Sequence, residues 1–331
     1  MKTALRVLTV VMAGALGAGA EDALRGPVSG LLVDSANGTI RPILGSAGSA
    51  YAGAPAVQNA EYAVAAADGQ QALVAREGNL SLLRRLGAGA PVWLTLREEA
   101  SDLGLSAFSR NGGALALHDA AHNRLEIWRN LGETPEAAGE IDLNALAGRL
   151  VGLAVDEAGA NVYATFQEND TAAALYALKP NAAPRLLLAM ERAGVLVLEG
   201  EALLVADRAR NEVHRVSQLE GAPQVSLVAN EGHGLLDPVG VALGADGHTV
   251  FVASAGTQQV LKIDAEAQAL KAALDLSFRP TGLERTGTVL LLAAGVPGAQ
   301  PAQVLDPVRF EVFFVPVSAL TASIDSGASS H

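Results

Sequence analysis

Cysteine is absent from the chain. That excludes a disulfide scaffold, a thiolate zinc site, a cysteine nucleophile and a lipid-modified cysteine. Basic residues are scarce: 23 Lys and Arg stand against 35 Asp and Glu, a formal net charge of −12. Nucleic acid is therefore excluded as a partner, because polyanion affinity rests on clustered Lys and Arg. Aromatic residues make up only 4% of the chain. Long hydrophobic runs are lacking too. Past the N-terminus the longest apolar run is residues 289–296, well short of the roughly 20 residues that a spanning helix needs. What remains is plain apolar material. Half of the 331 residues are hydrophobic, enough to exclude a mostly disordered protein and to build a sizeable core. Length alone fits two domains or one large β or α/β domain.

Residues 1–20 read as a secretory signal peptide. Lys2 and Arg6 supply a positive start, residues 7–17 form an apolar stretch of small residues, and Ala18-Gly19-Ala20 gives a small-x-small cleavage pattern ahead of Glu21-Asp22. The uncharged run over residues 7–20 is 14 residues, too short for a membrane anchor. The expectation is export to the periplasm or outside the cell, with cleavage near Ala20 and no membrane span. Losing Lys2 and Arg6 takes the net charge from −12 to −14. Residues 318–331, rich in Ser, Ala and Gly, are expected to form a flexible tail.

Between these ends runs a repeat: an apolar strand, a turn containing Gly, a second apolar strand, then a polar loop. Its clearest copy is Pro238-Val239-Gly240-Val241-Ala242-Leu243, the turn Gly244-Ala245-Asp246-Gly247-His248, and Thr249-Val250-Phe251-Val252-Ala253-Ser254. Glycine suits such a turn because a positive φ is penalised by a β-carbon. The turn glycine recurs at Gly69, Gly112, Gly159, Gly200, Gly247 and Gly287, at intervals of 43, 47, 41, 47 and 40 residues. Four-stranded blades of β-propellers recur at about 40 to 45 residues. The period-two alternation excludes a helical solenoid. Second strands also end alike: Val205-Ala206-Asp207 aligns with Leu117-His118-Asp119, and downstream Asn211-Glu212-Val213 aligns with Asn123-Arg124-Leu125. Small residues in the first strands, as in Gly240-Val241-Ala242-Leu243 and Gly152-Leu153-Ala154-Val155, suit a crowded position around a central channel. Residues 265–274 favour helix by composition, but the repeat makes them a third-to-fourth strand connection.

The segment Asp237-Pro238-Val239-Gly240-Val241-Ala242, with Asp246-Gly247 and Val250-Phe251-Val252-Ala253-Ser254 after it, resembles the NHL/YVTN class of β-propeller proteins; Val205-Ala206-Asp207 with Asn211-Glu212-Val213 is a second echo. The resemblance implies an all-β propeller of four-stranded blades over residues 21–317. It implies no particular activity, because such propellers host many roles. Six turn glycines predict six blades. The last copy supplies strands near residues 280–283, 289–293 and 310–315 around a loop holding Pro297, Pro301 and Pro307, and then runs out. The N-terminal pair at residues 28–33 and 39–44, joined by Asp34-Ser35-Ala36-Asn37-Gly38, is expected to complete that last blade and close the ring. Seven blades, with the ends building an extra unit, is the alternative.

In such a ring the second-to-third turns and the blade-to-blade connections share one face, where ligand sites are to be sought. Candidate binding residues there are His118, Asp119, His122, Glu168, Asp170, Asp207, Arg208, Arg210 and His233. His118 and His122 beside a carboxylate hint at zinc, but on a strand end that spacing does not align the rings. Asp119 and Asn123 also repeat Asp207 and Asn211, which points to turns. Glu168-Asn169-Asp170 lacks the ligand loop of a calcium site. Asp207 with Arg208 and Arg210 reads as an exposed ion pair.

A lactonase of the gluconolactonase/regucalcin kind is similar in architecture. Its Pro-Asn-Gly corresponds to Pro238-Val239-Gly240 and its strand-end Asp to Ser254, so Val239 and Ser254 replace two metal ligands. No Gly-x-Ser-x-Gly elbow, His-Glu-x-x-His or P-loop is present. The expectation is an exported, monomeric binding or scaffold module rather than an enzyme, with no metal and no cofactor. Its ligand is an unidentified protein or small molecule.

Overall fold

A computed structural model describes residues 27–86, 90–100, 102–294 and 301–316. The signal-peptide segment, the tail at 318–331 and Pro297 lie outside these residues. The chain folds into seven radially arranged sheets, each an antiparallel meander in sequence order. Blades 2 to 7 (residues 62–97, 103–142, 149–190, 193–229, 238–275 and 280–315) have four strands each. Blade 1 has three: Val28–Asp34, Thr39–Leu44 and the two-residue Tyr51–Ala52. The architecture is thus a seven-bladed β-propeller.

The count of six blades is corrected by two local features. The first is a strand, Ala302–Asp306, between Pro301 and Pro307. Proline cannot donate to a ladder but is tolerated where a strand begins or ends, so these two bound a strand rather than mark a loop. With Ala302–Asp306 third and Glu311–Val315 fourth, blade 7 is complete without help. The second is Gly38, which has the same left-handed backbone (φ 58°) as the six repeat glycines. It is a seventh first-to-second turn. It stands only 31 residues before Gly69 because the described chain passes from the third strand of blade 1 to blade 2 without a fourth strand between them. Gly53 and Pro55 follow its two-residue third strand and end it.

Among the described residues the ring closes by packing between blades 7 and 1, with no strand shared between their sheets. Thr286 Oγ1 accepts from Leu31 N (2.6 Å) and donates to Leu31 O (3.0 Å). Thr288 N donates to Ser29 O and Ala52 N to Pro316 O, while Gly287 N reaches past blade 1 to Ala67 O of blade 2. Under these bonds Ile43, Ala50 and Ala52 pack on Val289, Val304 and Val315.

Seven apolar clusters, one at each blade-to-blade interface, form the core. The alternation of each strand supplies them, since successive side chains point to opposite faces and each face meets a different neighbour. Crowding at the first strands is direct. A β-carbon on Gly240 would collide with the backbone nitrogen and β-carbon of Leu283 on the next blade. The helix-favouring stretch forms a turn at 265–268 and the strand Ala269–Asp275; its pairing with Gln259–Asp264 outweighs local propensity.

Candidate functional site

First strands run from the face bearing the second-to-third turns and blade connections, here the loop face, to the opposite turn face. Asp119 and Asp207 end second strands at the loop face, and both are almost fully buried. Asp207 accepts from four backbone N–H groups: Glu191 (2.9 Å), Arg192 (3.2 Å), Ala209 (3.2 Å) and Arg210 (3.4 Å). It ties the connection entering blade 5 to that blade's own turn. Asp119 accepts from His122 N (3.3 Å), contacts His122 Nδ1 (2.8 Å), and takes Arg124 Nε (3.1 Å). Burial opposes its charge, but the bonds from His122 and Arg124 hold its carboxyl below the usual range. Asn123 and Asn211 both adopt positive φ, 49° and 56°. These repeat positions build turns.

The candidate residues do not converge. His118 has a half-buried ring whose Nε2 is buried without a partner, while His122 is 69% exposed. His122 faces a groove of about 600 Å³ on the outer rim between blades 3 and 4, with Arg124, Glu140 and Lys179. His233 also reaches the rim. It closes a short 3₁₀ turn, Glu231–His233, and its Nε2 lies 2.9 Å from Gln268 O of blade 6. Glu168 and Asp170 are exposed on blade 4. No group of three His, Cys, Asp or Glu suited to a metal occurs among the described residues. Ser254 is fully buried and bonds Leu236 N, Leu236 O and Thr257 Oγ1. It braces a connection where a lactonase would hold metal.

What does converge is arginine. Asp237 joins Arg208 (2.6 Å) to Arg279 (2.9 Å) across blades 5 to 7. Burial opposes its charge, but both guanidiniums hold its carboxyl below the ordinary range. Arg210 pairs with Glu191 at 3.0 Å. At the channel mouth a groove of about 330 Å³ is lined by Arg149, Val151, Ala193, Gly194, Val195, Arg208, Val239 and Thr281. The loop-face mouth over blades 4 to 7 is therefore a basic spot on an acidic protein. Arg149 starts a first strand and has no ion-pair partner among the described residues.

Inside the ring lies a channel cavity of about 620 Å³, walled by Val64, Leu105, Val197 and Leu283, with Tyr62 Oη bonded to Ser106 Oγ at 2.8 Å. Four charged groups line it: Arg110, Glu199, Glu284 and Arg285. Arg110 of blade 3 pairs with Glu199 of blade 5, spanning blade 4 at the turn-face end. Burial raises the Glu199 carboxyl, against the pull of Arg110 and Arg285. Burial lowers Arg285, which donates to Leu243 O and whose Nε is unpartnered. None of these four was apparent from the repeat. For three of them the available signal was charge in or at the end of a first strand, as in Pro280–Thr286 and Ala193–Glu199; Arg110 lies in the turn after Leu103–Phe108.

No known family profile matches the chain, and no curated protein does so. Solved structures do. A functionally unknown protein from Desulfotomaculum acetoxidans aligns with a TM-score of 0.58 at 12% identity, over 87% of this chain and 99% of its own. Kluyveromyces lactis Hsv2p aligns with a TM-score of 0.51 at 12% identity, over 74% of this chain and 73% of its own. At such identities the likeness is one of fold. Fold and comparisons together define the class: a β-propeller. Among the described residues no helix is long and apolar enough to cross a membrane.

Proposed function

We propose that the chain is an exported binding module, built from NHL/YVTN-type repeats, whose loop face at the channel mouth captures a partner presenting an acidic group. The observation that carries this reading is the arginine cluster of Arg149, Arg208 and Arg279 on a chain of net charge −12. Two of these guanidiniums share one carboxylate, Asp237, and Arg149 has none among the described residues, so the spot carries surplus positive charge. Planar guanidiniums recognise carboxylates through paired hydrogen bonds. The n-region, apolar stretch and cleavage pattern of residues 1–20 support export.

A carboxylate-rich probe such as poly-glutamate is expected to bind the wild type at low salt and to bind Arg149→Ala several-fold more weakly. Equal binding by both proteins, at unchanged melting temperature, would overturn the reading. Intact-mass measurement of protein recovered from a fractionated host is expected to find a chain beginning at Glu21 outside the cytoplasm. An unprocessed cytoplasmic chain would overturn export.

A further inference from the structure

The groove at the channel mouth is built from β-bulges. In blades 4, 6 and 7 the pairing of first and second strands skips one residue, at Val151, Val239 and Thr281, and blade 5 does the same within Gly194-Val195. A bulge leaves its extra residue out of the ladder and bends the strand. Those bulge residues line the groove beside Arg149 and Arg208, and no carboxylate is among its walls.

Charge at this groove is unbalanced. Arg208 gives Nε and Nη2 to one oxygen of Asp237, and Arg279 gives Nη2 to the other. Arg149 has no ion-pair partner among the described residues. Three guanidiniums thus stand against one carboxylate, an excess of two positive charges. Arg149 keeps its whole donor fork, and Arg208 keeps Nη1, free of other bonds among the described residues.

We propose that this groove binds a short aliphatic dicarboxylate, so that the acidic partner of the loop face is a small molecule; the inference rests on the reading of that face given above. Two carboxylates match the excess of two charges, one held by Arg149 of blade 4 and the other by Nη1 of Arg208 of blade 5. Val151, Val195 and Val239 supply an apolar wall for the methylene spacer, and Thr281 a hydroxyl. The volume, about 330 Å³, stands at the small end of ligand sites and suits a body of a few carbons. A monocarboxylate leaves one guanidinium unanswered. Inorganic phosphate carries comparable charge but has no apolar body to cover the valines.

The test is calorimetry of the full chain at low salt with succinate, glutarate and adipate, set against butyrate, inorganic phosphate and poly-glutamate. At least one of the three dicarboxylates is expected to bind tenfold or more tightly than butyrate and than phosphate. Arg149→Ala is expected to remove that preference, and so is Val151→Phe, which fills the groove without changing a charge. Dicarboxylates that bind no better than butyrate, phosphate that binds as tightly as the best of them, or a preference retained in Arg149→Ala would each overturn the proposal. If the dicarboxylates fail while poly-glutamate still binds the wild type, this inference alone falls. If poly-glutamate fails with them, the reading of the loop face falls too. The wild-type comparisons decide the matter even if a variant does not fold.

Discussion

Asp207 shows how one side chain holds two connections. Its carboxylate is buried and serves four N–H groups, each of which would otherwise face a desolvation cost. Asp207→Ala is expected to lower unfolding free energy by about 1–3 kcal/mol, measured by urea denaturation, and to speed amide exchange at Glu191 and Arg192. The alignment of Asp207 with Asp119 made a turn role legible, because a recurring Asp-x₃-Asn at strand ends is turn chemistry. Nothing in residue spacing indicated that His122 and His233 look to the rim. Turn residues fan outward from a ring, and their directions depend on the twist of each blade.

Strands were legible wherever two features coincided, apolar alternation and a turn glycine. They failed to be so at Ala302–Asp306, where five residues sit between two prolines. Local sequence there is that of a loop. Tertiary pairing with Val289–Ala294 and Glu311–Val315 makes it a strand. Leu305, within it, is fully buried and packs with Phe251, Leu276 and Leu290 at the interface of blades 6 and 7. Leu305→Ala is expected to cost about 2–5 kcal/mol, read as a lower urea midpoint. A loss below about 0.5 kcal/mol, the range of ordinary surface substitutions, would mean that this segment is not a working part of the blade.

At the scale of the whole molecule, the ring is closed between blades 7 and 1, where the Thr286 hydroxyl is both donor and acceptor to Leu31. Thr286→Val keeps the shape and removes both bonds, leaving buried Leu31 N and O without that partner. The expected loss is about 1–3 kcal/mol. It is to be measured as a drop in the urea midpoint, with early opening of blade 1 seen by hydrogen exchange. Uniform exchange across all blades would place the weak point elsewhere. A chain without disulfides relies on this seam.

The order of strands, the turn positions and the class of fold were determined by the sequence alone, because alternation and positive-φ glycines are local properties repeated many times. The blade number, the closure and the channel chemistry were decided only in three dimensions. A seventh turn at Gly38 counts as a blade only when its three-stranded sheet stands beside blade 7. Arg110, Glu199 and Arg285 lie on blades 3, 5 and 7 and are far apart in the chain. They meet because a closed ring turns distant first strands, and the turn after Leu103–Phe108 that carries Arg110, toward one axis.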